Sequence, residues 1–194
     1  MNISSELAKV YQSKNFDTNT AIWDYCMEIA TKDGAFLEFG VYEGYSINYM
    51  SALLPEAQFY GFDSFEGLPE FWREGYDKGT FKIDQKPQVN SNVEIVEGLF
   101  QETLPLFAKT LNKLISFCHL DCDLYSSSKY VLDTLSNHFQ TGAILLFDEF
   151  YNYPGFENGE IKAFLEFVQE SGIKYEYIGY NVNHEQVAIR ILEL

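Results

Sequence analysis

Positive charge is scarce in this sequence: 13 lysines and arginines stand against 29 aspartates and glutamates, a formal net charge of −16 at pH 7. Binding a phosphate polymer or an anionic bilayer needs a basic face, so nucleic acid and membrane surfaces are not expected partners, and neutral or cationic small molecules are. Long hydrophobic runs are missing too. No stretch approaches the ~18 consecutive apolar residues of a membrane span, and MNISSELAKV has no charged region leading into an apolar one. A cytoplasmic protein is the expectation. Cysteine is rare: Cys26, Cys118 and Cys122 are an odd set without C-x-x-C spacing, which argues for reduced, mostly buried thiols.

What the chain has in quantity is apolar and aromatic side chains, at 46% and 17%, enough to rule out disorder. Its 194 residues suit one domain, 1–194, with a single core. Residues 1–33 read as an N-terminal helical segment: Asn2 to Asn15 is polar and peripheral, and from a cap at Thr18 or Asn19 the residues Ile22, Tyr25, Cys26, Ile29 and Ala30 recur at helical spacing. Five strand-helix alternations follow. Their strands are AFLEF, QFYGF, NVEIV, LISFCHL and AILLF, and their helices include Phe100 to Leu111, with Pro105 in its first turn, and Ser126 to Phe139, capped by Ser126 or Ser127. The helix Gly159 to Ser171 then leads to two strands, Tyr175 to Tyr180 and Gln186 to Leu192, spaced for an antiparallel pair. This pattern predicts an α/β sheet that receives ligands at the carboxyl ends of its strands.

The first strand runs into a glycine turn, EFGVYEGYS, with Gly40 free to bend and Gly44 opening a helix. A dinucleotide fingerprint has glycine where this chain has Tyr42, so a pyrophosphate is crowded out. An acid, Glu38, beside a glycine turn suits a ligand with an ammonium group and no phosphate, such as S-adenosylmethionine; a solvated strand-end charge is the alternative for Glu38. Asp63 ends the second strand 23 positions after Gly40, near the ~20-residue offset of a ribose-binding acid, and could equally cap the DSFEG turn. Residues 64–91 lack periodicity and carry Phe71, Trp72, Tyr76 and Phe81, the composition of a lid or insertion, with a surface hairpin as the alternative.

Strand four ends in Asp121-Cys122-Asp123 and strand five in Asp148-Glu149. Adjacent strands lie ~4.8 Å apart, so these carboxylates can surround one point, and a hard cation such as Mg²⁺ relieves their repulsion. Alternation along the strand puts Asp121 in the site and makes Asp123 a helix cap or second ligand. His119 reads as a hydrogen-bonded core histidine. His184, in the turn between the last two strands, is either a solvated loop residue or a proton acceptor, with Asp121 and Glu149 as the other candidate proton acceptors.

With EFGVYEGYS, YGFDSFEGLPE, EGLFQETLP, HLDCDLYSS and LLFDEFYNYPGFENGEIKAF in this order, the chain resembles the macrocin O-methyltransferase family, a branch of the class I S-adenosylmethionine-dependent methyltransferases that act on sugar hydroxyls. The resemblance implies a Rossmann-like fold with a seven-stranded, mostly parallel sheet of order 3-2-1-4-5-7-6. It implies a cofactor held by Glu38, Gly40, Val41, Tyr42, Gly44, Ser46, Asp63, Ser64, Gly98, Phe100 and Asp121, and a divalent metal at Asp121, Asp148 and Glu149. Trp72, Tyr76, Tyr151 and Tyr153 are the residues expected to wall a sugar or glycosylated acceptor, packing being their other reading. Related catechol-type enzymes have Asp-Asn where this chain has Asp-Glu. Cephalosporin-hydroxylase proteins are similar as well, so an amine or phenol acceptor, a hydroxylase-like reaction and a non-catalytic cofactor-binding module stay open, as does a homo-oligomer. The chain starts later than relatives with an extra substrate-covering segment.

Overall fold

The computed structural model describes residues 2–194. Helix α1 (Ile3–Val10), strand β1 (Lys14–Phe16) and helix α2 (Asn19–Ile29) precede the alternating part, and Thr18 caps α2 by accepting the Ala21 N–H at 3.2 Å. Then come β2 (Ala35–Phe39), α3 (Tyr45–Leu53), β3 (Phe59–Asp63), β4 (Val93–Glu97), α4 (Phe100–Thr110), β5 (Ile115–Leu120) and α5 (Tyr125–Leu135). The chain finishes with β6 (Phe139–Phe147), α6 (Glu160–Ser171), β7 (Lys174–Asn181) and β8 (Val187–Glu193).

Eight strands form one sheet in the order β1-β7-β8-β6-β5-β2-β3-β4. From β4 to β7 this is the expected class I order, parallel except for β8, which runs antiparallel to both β6 and β7. The eighth strand is an addition to the expectation: β1 pairs parallel with β7 at the sheet edge. With only Phe16 of its three residues buried, it carries no readable alternation. The stretch Asn2 to Asn15 is therefore not merely peripheral, since α1 lays Val10 into the core and Glu6 accepts from Tyr175 and Tyr177 of β7.

Side chains of a strand alternate between faces, and each face of this sheet is covered. Leu37, Phe39, Cys118, Leu120, Leu145 and Phe147 point to one face, against α4, α5 and α6; Phe36, Phe117, Ile144 and Leu146 point to the other, against α2 and α3. Cys26, Cys118 and Cys122 are all free and buried. No helix among the described residues is long and apolar enough to cross a membrane.

Two helix readings change. The segment expected to be helical through Phe139 stops at Leu135, and Phe139 instead opens β6 opposite Ile115, because a buried aromatic satisfies either geometry. Leu124 occupies the N-cap of α5 with no side-chain cap, so neither Ser126, Ser127 nor Asp123 plays that part. Pro105 lies inside α4 beyond its first turn, since the helix begins at Phe100.

The sheet order reverses between β2 and β5, and the carboxyl ends of these strands part there to leave a crevice. Gly40 makes that crossing possible. Its φ is +93°, and a Cβ on it would sit 1.7 Å from the Asp121 carbonyl oxygen. We expect Gly40→Ala to destabilise the protein by roughly 2–4 kcal/mol in chemical denaturation, combining left-handed strain with a backbone clash; a loss below about 1 kcal/mol would show that β2 and β5 can separate at this point.

Candidate active site

A cavity of about 600 Å³ opens over the carboxyl ends of β2, β3, β5 and β6. Gly40, Tyr42, Asp63, Ser64, Gly98 and Phe100 line one end, and Asp121, Asp123, Asp148, Glu149 and His184 the other. Trp72 and Tyr76 of the 64–91 segment line it from above. The acids that sequence reading placed at strand ends thus converge on one cavity, with one exception.

The exception is Glu38. It is 1% exposed and faces the α2 and α3 side of the sheet, where Ser46 donates to its Oε1 at 3.0 Å and His119 Nδ1 lies 2.9 Å from Oε2. Both carboxylate oxygens have partners inside the protein, and Glu38 is not among the residues that line the cavity. Ser46 is engaged with Glu38, and Val41 is buried beneath the turn. Gly44 is covered as well: a Cβ there would meet Pro87 at 3.0 Å, so the 64–91 segment, not a ligand, lies against the start of α3.

Asp63 reaches the cavity with its carboxylate mostly committed. Oδ2 accepts the N–H groups of Val41 and Tyr42, both at 2.8 Å, and Oδ1 accepts that of Phe65 at 2.7 Å. A carboxylate has about four acceptor positions, so one is left for a ligand hydroxyl, and the bond to the Phe65 N–H gives Asp63 its expected place in the DSFEG turn as well. Asp63 holds Tyr42 at a left-handed φ of 48°, which explains how a tyrosine sits where glycine is usual.

His119 is fully buried, as expected. Its Nε2 lies 3.4 Å from Asp148 Oδ1, an oxygen that also accepts from Gln186, while Nδ1 meets Glu38. Burial alone would lower the imidazole's pKa, but the bonds to Asp148 and Glu38 outweigh it and hold the value well above 6.5. The same partnership keeps Asp148 below the usual carboxylate range despite its burial. Its neighbours go the other way: burial, then the charge of Asp148, drives Asp121 and Glu149 well above that range, and brings Asp123 to about 7. Glu160, at the start of α6, is raised by burial to about 8 although Ser128 and the Glu149 N–H donate to it.

Side-chain atoms of His119, Asp121 and Asp148 come within 4.8 Å of one another, a group that Glu149 does not join. Glu149 instead offers a buried Oε2 with no hydrogen-bond partner. Because His119 already uses both nitrogens, the donors free for a cation are carboxylate oxygens, which suit Mg²⁺, Ca²⁺ or Mn²⁺. Asp121 and Asp123 both face the cavity because β5 ends at Leu120 and Asp123 turns through a φ of 64°, so strand alternation no longer applies to them.

Of the four aromatics expected to wall an acceptor, Trp72 and Tyr76 do line the cavity. Tyr151 does not: its hydroxyl donates to the Asn181 carbonyl at 2.5 Å and its ring packs on Tyr11 and Tyr180. Tyr153 stands behind the wall, its ring 4.7 Å from the Arg73 guanidinium. Arg73 was not foreseen. It stacks on Trp72 at 3.8 Å and donates to both oxygens of Glu185, at 3.0 and 3.1 Å, tying the 64–91 segment to the turn that carries His184. Asn19, Cys122 and Ser126 also line the cavity; the sequence suggested a helix cap for Asn19 and Ser126 and a buried thiol for Cys122, not a place in the site. His184 lines it with a buried, unpartnered Nδ1.

The fold is shared with known structures. CalS11, a calicheamicin methyltransferase also described as TDP-rhamnose 3'-O-methyltransferase, superposes with a TM-score of 0.67 at 22% identity, over 88% of this chain and 76% of that one. The O-methyltransferase NovP gives 0.68 at 18%, over 89% and 79%. MycE, a methyltransferase of the mycinamycin pathway solved with Mg and S-adenosylhomocysteine, gives 0.57 at 15%, over 90% and 49%. At such identities these likenesses speak for the fold. No curated protein sequence matches the chain. A family model described as a methyltransferase domain matches residues 37–150. Its span takes in the glycine turn, Asp63, the covering segment and both acidic strand ends, well over half of the sequence, and the chain belongs to this methyltransferase-domain family.

Proposed function

We propose that this protein is an S-adenosylmethionine-dependent O-methyltransferase of the macrocin type, assisted by a divalent cation such as Mg²⁺, whose acceptor is a hydroxyl of a sugar or sugar-containing natural product. One observation carries the reading: a single cavity has the glycine turn and Asp63 at one end and the convergent acids Asp121, Asp148 and Glu149 at the other. A sulfonium donor and a hydroxyl acceptor bound there would lie side by side. The activities described for CalS11, NovP and MycE support the same class, and the Mg and S-adenosylhomocysteine of MycE support the two bound groups.

In this reading Gly40, Tyr42, Ser64, Gly98 and Phe100 enclose the donor, Asp63 offers its one spare acceptor position to a ribose hydroxyl, and Glu38, Val41, Gly44 and Ser46 keep the turn in shape. Asp121, Asp148 and Glu149 would hold the cation, which supplies Lewis acidity that makes a hydroxyl easier to deprotonate. His184 takes that proton at its unpartnered Nδ1 as the acceptor oxygen bonds to the methyl carbon and the carbon–sulfur bond breaks. Trp72, Tyr76 and the rest of 64–91 act as a lid that excludes water. The rate comes mainly from alignment of the two reactants, with His184 lowering the barrier to loss of the proton.

Asp121→Asn is expected to cut methyl transfer by on the order of a hundredfold or more while S-adenosylhomocysteine, measured by calorimetry, binds almost as in the parent. Asp63→Asn should do the reverse, weakening the nucleoside about tenfold or more, because it replaces an acceptor of three backbone N–H groups with an amide. Wild-type turnover in Asp121→Asn would sink the metal-site assignment, and absence of nucleoside binding by the parent would sink the reaction.

A pH series tests the crowded carboxylates separately. Asp123 and Glu160 have folded pKa values, about 7 and about 8, above those of an unfolded chain, so folding takes up protons and stability falls as pH rises from about 5 to about 8. His119, also raised, loses its stabilising charge in the same direction. In chelator the melting temperature should therefore drop by several degrees between pH 6 and pH 8, and Mg²⁺ should recover more of it at pH 8 than at pH 6. A flat profile unaffected by Mg²⁺ would contradict a buried cation site.

A further inference from the structure

Three carboxylates lining the cavity, those of Asp121, Asp123 and Glu149, accept no hydrogen bond among the described residues, and the cation assignment above uses Asp121 and Glu149, which leaves Asp123. Asp123 is 8% exposed, lines the cavity, and is influenced only by burial and by surrounding charges, with no hydrogen bond to its side chain among the described residues. Its carboxylate therefore presents free acceptor positions to the cavity. Arg73 lines the same cavity and, among the described residues, is the only lysine or arginine to do so. Its Nη1 is spent on Glu185 and its plane is fixed by Trp72, which leaves further N–H donors of the guanidinium uncommitted. Both side chains line the same cavity, yet Arg73 pairs with Glu185 and forms no ion pair with Asp123, so space for a ligand group lies between them.

The group that fits this gap must donate to one side and accept from the other. A hydroxyl does both. An ammonium group would meet the guanidinium charge, and a carboxylate or phosphate would meet Asp123 with Asp121, Asp148 and Glu149 close behind. We propose that Arg73 and Asp123 form an acceptor-binding pair that grips a second ring hydroxyl, distinct from the one methylated: its O–H donates to Asp123 and its oxygen accepts from Arg73. The acceptor is then a neutral polyhydroxylated ring and not a simple phenol or amine. This rests on the methyltransferase reading above, in which the reacting hydroxyl lies over Asp121 and Asp148.

The test uses methyl α-L-rhamnopyranoside and its monodeoxy analogues as probes, with saturation-transfer NMR titrations in MgCl₂ and S-adenosylhomocysteine. The wild-type protein should bind the rhamnoside, and at least one deoxy analogue about tenfold more weakly. In Asp123→Asn and in Arg73→Lys that discrimination should vanish, the parent sugar and that analogue binding alike. A merely structural effect would weaken all probes in proportion, so retained discrimination in both variants overturns the pair. So does a wild-type protein that binds no rhamnoside, or that binds phenol as well as the sugar. Nucleoside binding, followed by calorimetry on the same samples, separates the two levels: if it persists while sugar discrimination fails, only the pair is wrong, whereas its absence removes the methyltransferase reading as well.

Discussion

Mutual repulsion among buried carboxylates is the constraint on which this structure turns. Asp121, Asp123, Asp148, Glu149 and Glu160 meet at the ends of β5 and β6 and the start of α6, with few protein cations to neutralise them. In water such a gathering would be unremarkable; behind the sheet's apolar layers each charge raises the pKa of the next. Protonation, imidazolium partnership and cation binding are the three ways to relieve that load. The protein visibly uses the second through His119, and the donor set left over suits the third.

His119 also explains why the two halves of the cavity keep their relative position. From Ser46 at the start of α3 the polar contacts pass through Glu38, His119 and Asp148 to Gln186 beside β8, crossing β2, β5 and β6 under apolar cover. Every link is a buried polar group satisfied by the next, which makes the row a register device for the sheet. The glycine turn at one end and the acidic strand ends at the other are thus parts of one hydrogen-bonded assembly, and a change in either is felt by both.

How much of this was legible in the sequence depended on the kind of signal. The strands followed from apolar runs alternating with helical spacing, their order from the resemblance to known methyltransferases, and the cavity's acids from their places at strand ends. Periodicity failed where it was too short or double-valued: Lys14–Phe16 has one buried residue, and Phe139 suits a helix face as well as a strand. Orientation was the harder matter. Glu38 looked like a ligand-facing acid because its position is right, but a strand residue must choose a face, and Glu38 chose that of His119. Asp123 escaped alternation through a left-handed turn that sequence does not announce. Arg73 lies in an aperiodic stretch and pairs with a residue 112 positions away, beyond any local pattern.

The 64–91 segment is moored at both stems. At its start the Phe65 N–H is held by Asp63; at its end Pro87 rests on Gly44, and Asn48 of α3 grips the Gln88 carbonyl and the Asn90 N–H. A strap fastened in this way cannot swing aside like a hinged door. Between its stems it is tied to the opposite rim by the clasp of Arg73 on Glu185 and by the hydroxyl of Ser126 donating to Glu70, and the girth of molecule that can be admitted is set by how readily those two ties let go.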